Sequence, residues 1–315
     1  MAFSKYISII LCFICLQSCN QYEKEKHFDE AIAYFKDKKN EESLKSFDKV
    51  ISLDPSDYES WVFRGRVLHR MKRNEEAFAS LNRAISIRPS STLAYNYRAR
   101  LYTLTDQPAL GLLDINRVLK TNRKDTSALV LRAGIYLDLK QFDRSIEDCN
   151  TLLGQDPGNA DAFFCRGTVL KYMGKKEEAL HDFNAAIKLN PAYPIFYNDR
   201  AFILVDMERY DEAIQDYNKA IQLSGKDDQK VLAFAHNNRG FASFKTGNIP
   251  GALKDINYAI ELFPENSYAF KNRALIYIKL KEVNKACQDI DRSLQLGYTK
   301  KYGDEVLKLQ ERHCK

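Results

Sequence analysis

Glycine and proline are scarce, 13 and 8 in 315 residues. That is too few for the turns of a loop-rich sandwich or barrel, and it favours helix. No apolar run approaches the roughly 20 residues that a membrane-crossing helix needs. No block of one charge occurs either. The 48 basic residues face 42 acidic ones along the whole length, and the net charge is only +6. A nucleic-acid partner is therefore not expected, because such proteins gather basic residues into a stripe or patch. Gly-rich phosphate loops, G-x-S-x-G and H-E-x-x-H are all missing. The five histidines, His27, His69, His181, His236 and His313, do not stand at metal-ligand spacing. No catalytic residue, metal or cofactor is expected, and the chain reads as a non-enzyme. With 45% hydrophobic residues it still has enough apolar material for a core.

Lys5 is the only charged residue before Glu23, and an apolar run from Tyr6 to Leu16 follows it. A basic start, a short apolar middle and a small-residue exit describe a signal peptide over 1–18. Its exit, Leu16-Gln17-Ser18-Cys19, resembles the lipobox of bacterial lipoproteins. The resemblance implies cleavage before Cys19, lipidation of Cys19 and a short linker over 19–23. The lipid would be the sole membrane anchor, because no other segment is long and apolar enough to span. Asn20 in place of Asp implies sorting to the outer membrane, facing periplasm or cell surface. Cys12 and Cys15 would leave with the signal. Cys149, Cys165, Cys287 and Cys314 are then expected mostly as buried small hydrophobes, with one pair open to oxidation in an exported protein.

A period of 34 residues governs the rest. It is carried by Pro55, Pro89, Pro157 and Pro191, and by Arg64, Arg98, Arg132, Arg166 and Arg200. Arg239 and Arg273 continue the series after one slip of five residues. The same slip divides Asp114, Asp148, Asp182 and Asp216 from Asp255 and Asp289. It also divides Asn82, Asn116, Asn150, Asn184 and Asn218 from Asn257. Each period holds two amphipathic helices, as Trp61, Gly65 and Leu68 followed by Ala77, Leu81 and Ala84 illustrate. Small residues at Gly65 and Ala77 allow the two backbones to approach. The slip is expected to form an extended turn at 224–230 and to be the weakest joint.

This pattern resembles the tetratricopeptide repeat, clearest in Phe163, Gly167, Leu170, Ala179, Phe183, Ala186 and Pro191. The resemblance implies an all-α, right-handed superhelical solenoid. Eight units cover 24–57, 58–91, 92–125, 126–159, 160–193, 194–227, 233–266 and 267–300. An insertion falls at 228–232, and a capping helix occupies 301–315. The first unit is a poor match, with Ser43 at the usual Ala, and it is expected to fray at 20–40. The family is a scaffold for unrelated binders, so the resemblance implies a protein or peptide partner without naming it.

Where the family has Leu before Gly, seven consecutive units have Arg. A lone buried charge is costly, so the Asp series is the expected partner. The within-repeat pairs are Arg98–Asp114, Arg132–Asp148, Arg166–Asp182, Arg200–Asp216, Arg239–Asp255 and Arg273–Asp289. This pairing leaves Arg64 unmatched, because Ser80 takes the Asp place. Each Asp is also level with the Arg of the next unit. An anion-binding Arg row is the functional alternative. The paired acids Glu75-Glu76, Glu177-Glu178 and Asp211-Glu212 open second helices, where they suit the helix dipole.

In the family the partner lies along the first helix of each unit. Units two and three present Glu59, Arg66 and His69, then Asn96, Arg100 and Thr103, a polar and basic end. Units six to eight present Ile195, Phe202 and Val205, then Phe234, Phe241 and Phe244, then Tyr268, Leu275 and Ile278. Asn198, Asn237 and Lys271 stand among them. The expectation is an apolar groove at about 195–280, with Asn198 and Asn237 holding backbone amides of the partner. The basic end would steer an acidic flank. An envelope-anchored interaction scaffold is the leading reading. A lipoprotein that grips glycan or peptidoglycan fragments is the alternative.

Overall fold

A computed structural model describes residues 20–225 and 229–314. All of its regular structure is α-helix. The expected signal peptide over 1–18 and Cys19 lie outside the described residues, as do residues 226–228 of the expected turn. Among the described residues, no helix is long and apolar enough to cross a membrane.

The chain divides into two compact units, meeting between Asp148 and Cys149. The first holds α1 (20–36), α2 (Asn40–Leu53), α3 (Tyr58–Arg70), α4 (Asn74–Ile87), α5 (Thr92–Leu104), α6 (Pro108–Thr121) and α7 (Thr126–Asp138). The boundary falls within α8 (Phe142–Gln155). The second holds α9 (Ala160–Tyr172), α10 (Lys176–Leu189), α11 (Pro194–Asp206), α12 (Tyr210–Leu223), α13 (Gln229–Lys245), α14 (Ile249–Leu262), α15 (Ser267–Lys279), α16 (Val283–Gln295), α17 (Tyr298–Tyr302) and α18 (Glu305–His313). Helices pack in adjacent pairs within each unit, α3 on α4, α5 on α6, α9 on α10, α11 on α12, α13 on α14 and α15 on α16.

First and second helices of a pair start differently. First helices are capped by a side chain: Asp57, Ser91, Asp125 and Asn159 each accept from the backbone N–H three residues on. Such a cap is worth about 1 kcal/mol. Helix α11 has Pro194 at its start instead, where the missing N–H costs nothing. The caps of α4, α10 and α12 make no side-chain bond, and Glu75, Glu76, Glu177, Glu178, Asp211 and Glu212 fill their first turns.

The turn inside each pair requires a left-handed residue. Lys38, Lys72, Asp106, Lys140, Gly174, Glu208, Gly247 and Lys281 all have positive φ. They repeat at 34 with the one slip of five. Only Gly174 and Gly247 adopt this conformation without a Cβ penalty, so six units carry backbone strain on the order of 1 kcal/mol each. The strain persists because the helices beyond it are already committed. At Gly240 a Cβ would stand 2.7 Å from Ile256 Cγ1 and 3.0 Å from the Ala252 carbonyl, so α13 and α14 meet almost backbone to backbone.

Ser43 at the usual Ala of the first pair is buried and donates to the Ala31 carbonyl at 2.9 Å. Phe28, Phe47 and Phe63 cluster beside it, Phe47 stacked on Phe63 at 5.7 Å. Lys24 bonds both Asp54 and Asp57. The first pair thus has a core and a polar clasp where fraying was expected.

Two expectations need correction. The extended turn expected at 224–230 does not run to Lys230. Gln229 and Lys230 already belong to α13, which is 17 residues long where other first helices have 13. Lengthening a helix satisfies backbone groups internally, which a long turn cannot do. The C-terminal cap is also not a single helix over 301–315. Gly303, at φ 87°, separates α17 from α18. Tyr298 is buried under α18 and donates to Glu305 at 2.9 Å. Burial, together with that bond, raises its phenol pKa far above the usual tyrosine value.

A disulfide joins Cys287 of α16 to Cys314, just beyond α18. Cys149 is buried and Cys165 half-buried, and neither is in a disulfide. Non-reducing peptide mapping should recover Cys287 and Cys314 in one linked peptide. Cys314→Ser should loosen α18 and lower stability by up to about 3 kcal/mol. Separate alkylation of both thiols in the native protein would contradict the bridge.

Candidate functional site

Two sets of side chains recur with the period, one internal and one on the first-helix face. The internal set is built on Arg98, Arg132, Arg166, Arg200, Arg239 and Arg273. Each guanidinium grips one carboxylate with two parallel bonds. Arg98 Nε and Nη2 donate to the two oxygens of Asp114, both at 2.7 Å. The same fork joins Arg132 to Asp148, Arg166 to Asp182, Arg200 to Asp216, Arg239 to Asp255 and Arg273 to Asp289, all between 2.6 and 2.9 Å. The remaining nitrogen, Nη1, reaches the preceding unit and donates to its Asn. The Asn partners are Asn82, Asn116, Asn150, Asn184, Asn218 and Asn257, at 2.6 to 3.0 Å. The five-residue insertion leaves this bond intact, because Arg239 finds Asn218 across 21 residues where the other pairs span 16.

The recurrent Asn, which sequence reading left without a specific role, is therefore the inter-repeat acceptor. It holds the place that sequence reading offered to the preceding Asp. Arg64 is also not unmatched. Its Nε bonds Asp48, which stands at the Asn place of the preceding unit, and its Nη1 bonds Ser80. Acid and neutral partner have exchanged positions, and the guanidinium is satisfied either way. The Asp carboxylates are buried. Hydrogen bonds donated to Asp114, Asp148, Asp182 and Asp289 raise the pKa of their arginines above the ordinary value. With Nε and both Nη groups committed, this row offers no anion site.

His236 joins the ladder at one unit, with Nδ1 2.9 Å from Asp255. Burial pulls the Asp255 carboxyl upward. The bonds from Arg239 and His236 outweigh it, so its pKa lies below the usual aspartate value.

The first-helix face of units six to eight is only partly open. On α11, Ile195 and Phe202 are 38% and 39% exposed. Asn198 lies between them, half-buried, and its buried Oδ1 has no hydrogen-bond partner among the described residues. Lys171 stands 5.4 Å over the Phe202 ring and pairs with Asp199 at 2.8 Å. Val205 packs on the core of Ala201, Leu204 and Tyr217, and Phe244 on that of Ala252 and Ile256. Phe241 meets Phe244 at 6.5 Å, and Phe234 turns its edge toward Phe263 at 6.0 Å. These rings and Leu275 are half-buried.

The eighth unit departs furthest from expectation. Tyr268 stacks on Tyr298 at 5.9 Å and touches Tyr302 at 5.3 Å. Tyr268 and Ile278 pack against the core that holds Val306. Lys271 is 4% exposed and pairs with Glu305 at 3.1 Å. The chain's own α17 and α18 occupy this stretch, so it is not groove. Asn237 is not available to a partner either. It is buried, donates to Asn238 and accepts from Asn272 at 3.1 Å. Sequence reading missed both outcomes, because the covering segments lie 20 to 35 residues further along the chain.

Among the described residues, no group of three or more His, Cys, Asp or Glu is placed to hold a metal ion.

Sequence models described as Tetratricopeptide repeat match residues 28–92, 160–193 and 195–227. A 65-residue stretch is 37% identical to stress-induced-phosphoprotein 1 of Caenorhabditis elegans, covering 21% of this chain and 20% of that protein. Among solved structures, the APC/C hetero-tetramer Cut9–Hcn1 is similar with TM-score 0.69 at 15% identity, over 86% of this chain and 52% of that one. Yeast Tom70 is similar with TM-score 0.64 at 17% identity, over 92% and 64%. A tetratricopeptide repeat protein from Parabacteroides merdae gives TM-score 0.53 at 19% identity, over 92% and 99%. At these identities the structural likeness concerns the fold.

Asp182→Ala should cost roughly 3 kcal/mol, because it strands the buried face of Arg166. Arg166→Leu combined with Asp182→Leu should cost clearly less, and chemical denaturation measures both. Asp255 has a depressed folded-state pKa, so its contribution is complete above the unfolded value near 4 and disappears as pH falls through the folded value. Asp255→Asn should flatten the loss of stability below about pH 4. An unchanged acid limb would show that the pairing carries no linkage.

These side chains explain how consecutive helix pairs are fastened, and the matched segments establish that the chain carries tetratricopeptide repeats in an all-α fold.

Proposed function

We propose that the protein is a membrane-anchored scaffold of the bacterial cell envelope, holding a protein or peptide partner on its first-helix face. The single observation that carries the binding site is on α11. Ile195 and Phe202 expose apolar surface two turns apart, with the half-buried Asn198 between them. Exposed apolar surface along one helix face is what a polypeptide partner covers. The tetratricopeptide architecture supports an interaction scaffold rather than an enzyme. The working surface is narrower than the stretch 195–280 and centres on Ile195, Asn198, Phe202 and the half-buried Phe241. The anchor is the lipid on Cys19, which places the repeats at the outer membrane.

Phe202→Asp and Ile195→Asp should abolish partner recovery from detergent-solubilised membranes while leaving helical content and melting nearly unchanged. Recovery of a stoichiometric protein supports the scaffold, and retention of glycan alone would favour a glycan-binding lipoprotein. Separately, Cys19→Ala should move the protein from the membrane fraction to the soluble fraction, and unchanged fractionation would refute the anchor.

A further inference from the structure

The second place where the first-helix face is unusual lies in the other compact unit. A cavity of about 260 Å³ opens there between α3 and α5. Its walls carry Arg66, Arg70 and Arg100, with Phe35 and Tyr97 beside them and Leu104 at the rim, 59% exposed.

These arginines differ from those of the ladder. Arg66 is half-buried, and its guanidinium stands 4.7 Å from the Phe35 ring, 4.8 Å from Phe63 and 4.4 Å from Tyr97. Rings engage the flat faces of a guanidinium, while its five N–H donors point outward in its plane. None of those donors meets an acceptor among the described residues, and no carboxylate there neutralises the charge. Burial lowers the Arg66 pKa, and repulsion from Arg70 and Arg100 lowers it further. Arg70 lies 3.5 Å from the Phe35 ring and spends one donor on the Phe35 carbonyl at 2.6 Å. Arg100 is exposed, one period from Arg66, at the same place on the next first helix. His69 completes the wall and bonds Asn74. Three like charges are thus held together at a half-apolar cavity with no counter-charge of their own, which is unfavourable in the empty state.

Resting on the scaffold reading, we infer that this cavity takes an internal acidic segment of the partner, with Asp or Glu side chains on Arg66, Arg70 and Arg100 and a neighbouring apolar side chain against Leu104 and Tyr97. Guanidinium edges match carboxylates in bidentate fashion. Positively charged sites on two successive units suit more than one carboxylate. A phosphate dianion would lose more hydration than a carboxylate on entering a cavity with leucine and aromatic walls.

The test uses the purified full-length protein in detergent and fluorescence anisotropy. The probe is a labelled nonapeptide with Asp-Glu pairs flanking one Leu, blocked as a C-terminal amide. Its comparators are the Asn/Gln peptide, the same acidic peptide with a free C-terminus, and a phosphoserine version. The acidic amide should bind about tenfold tighter than the Asn/Gln peptide, with affinity falling as salt rises. Arg66→Gln and Arg100→Gln should each weaken binding about fivefold or more. Arg100 is exposed, so its substitution keeps the test informative even if Arg66→Gln disturbs folding. Equal binding of acidic and Asn/Gln peptides, or no loss in either variant, overturns the assignment. So does a requirement for the free C-terminus, or tighter binding of the phosphoserine peptide. Should the cellular partner survive Arg100→Gln but be lost with Phe202→Asp, the scaffold stands and this cavity has no part in it.

Discussion

Everything in this fold is hung on one constraint, the need of a half-buried guanidinium to be satisfied in three directions at once. Nε and Nη2 take both oxygens of the Asp on the second helix of the same pair, and Nη1 takes the Asn of the pair before. The guanidinium is planar, so these directions are set together. A pair displaced by one residue along its neighbour would lose the Asn bond and strand a donor. The ladder therefore acts on register more than on total stability, since apolar residues of similar volume can fill such a site at little cost. The insertion before α13 obeys the same constraint. Its residues lengthen a helix, and Arg239 still meets both Asp255 and Asn218.

Register at the joints permits economy elsewhere. Six turns place a residue with a Cβ in the left-handed region. They tolerate that strain because the helices on either side are held by close backbone contact and by the ladder. Small residues serve the same end, with Gly240 under Ile256 and the Ala252 carbonyl, and Gly65 under Leu81. A repeat built this way asks no ladder contact of the rest of its first-helix face, so that face can vary from unit to unit.

That variation separates the two arginine populations. Ladder arginines are met by carboxylate and amide, and their charge is consumed by the fold. Arg66 and Arg70 rest on aromatic rings and Arg100 stands exposed on the next first helix, and none of the three pairs with a carboxylate among the described residues. The apolar residues on the same face divide likewise. Ile195 and Phe202 stay exposed, whereas Tyr268 and Lys271 are spent on Tyr298 and Glu305 of the C-terminal segment. The acidic and the apolar elements of the proposed partner would thus meet separate, chemically distinct surfaces.

The sequence by itself determined the repeat, the helix pairs, the place of the slip and the residue types of the ladder. Periodicity is a local property, and Arg64 to Arg273 announce it through spacing alone. The paired acids at second-helix starts were legible for the same reason. Only the tertiary structure decided which partner each guanidinium takes, because the Asn bond crosses from one repeat to the next and depends on how their helices dock. Tertiary packing also decided that Asn237 is internal, that Cys287 meets Cys314 and that α17 and α18 cover the face of the eighth repeat. Those contacts lie outside the recurring Arg, Asp and Asn series, so the spacing that reveals the ladder does not record them.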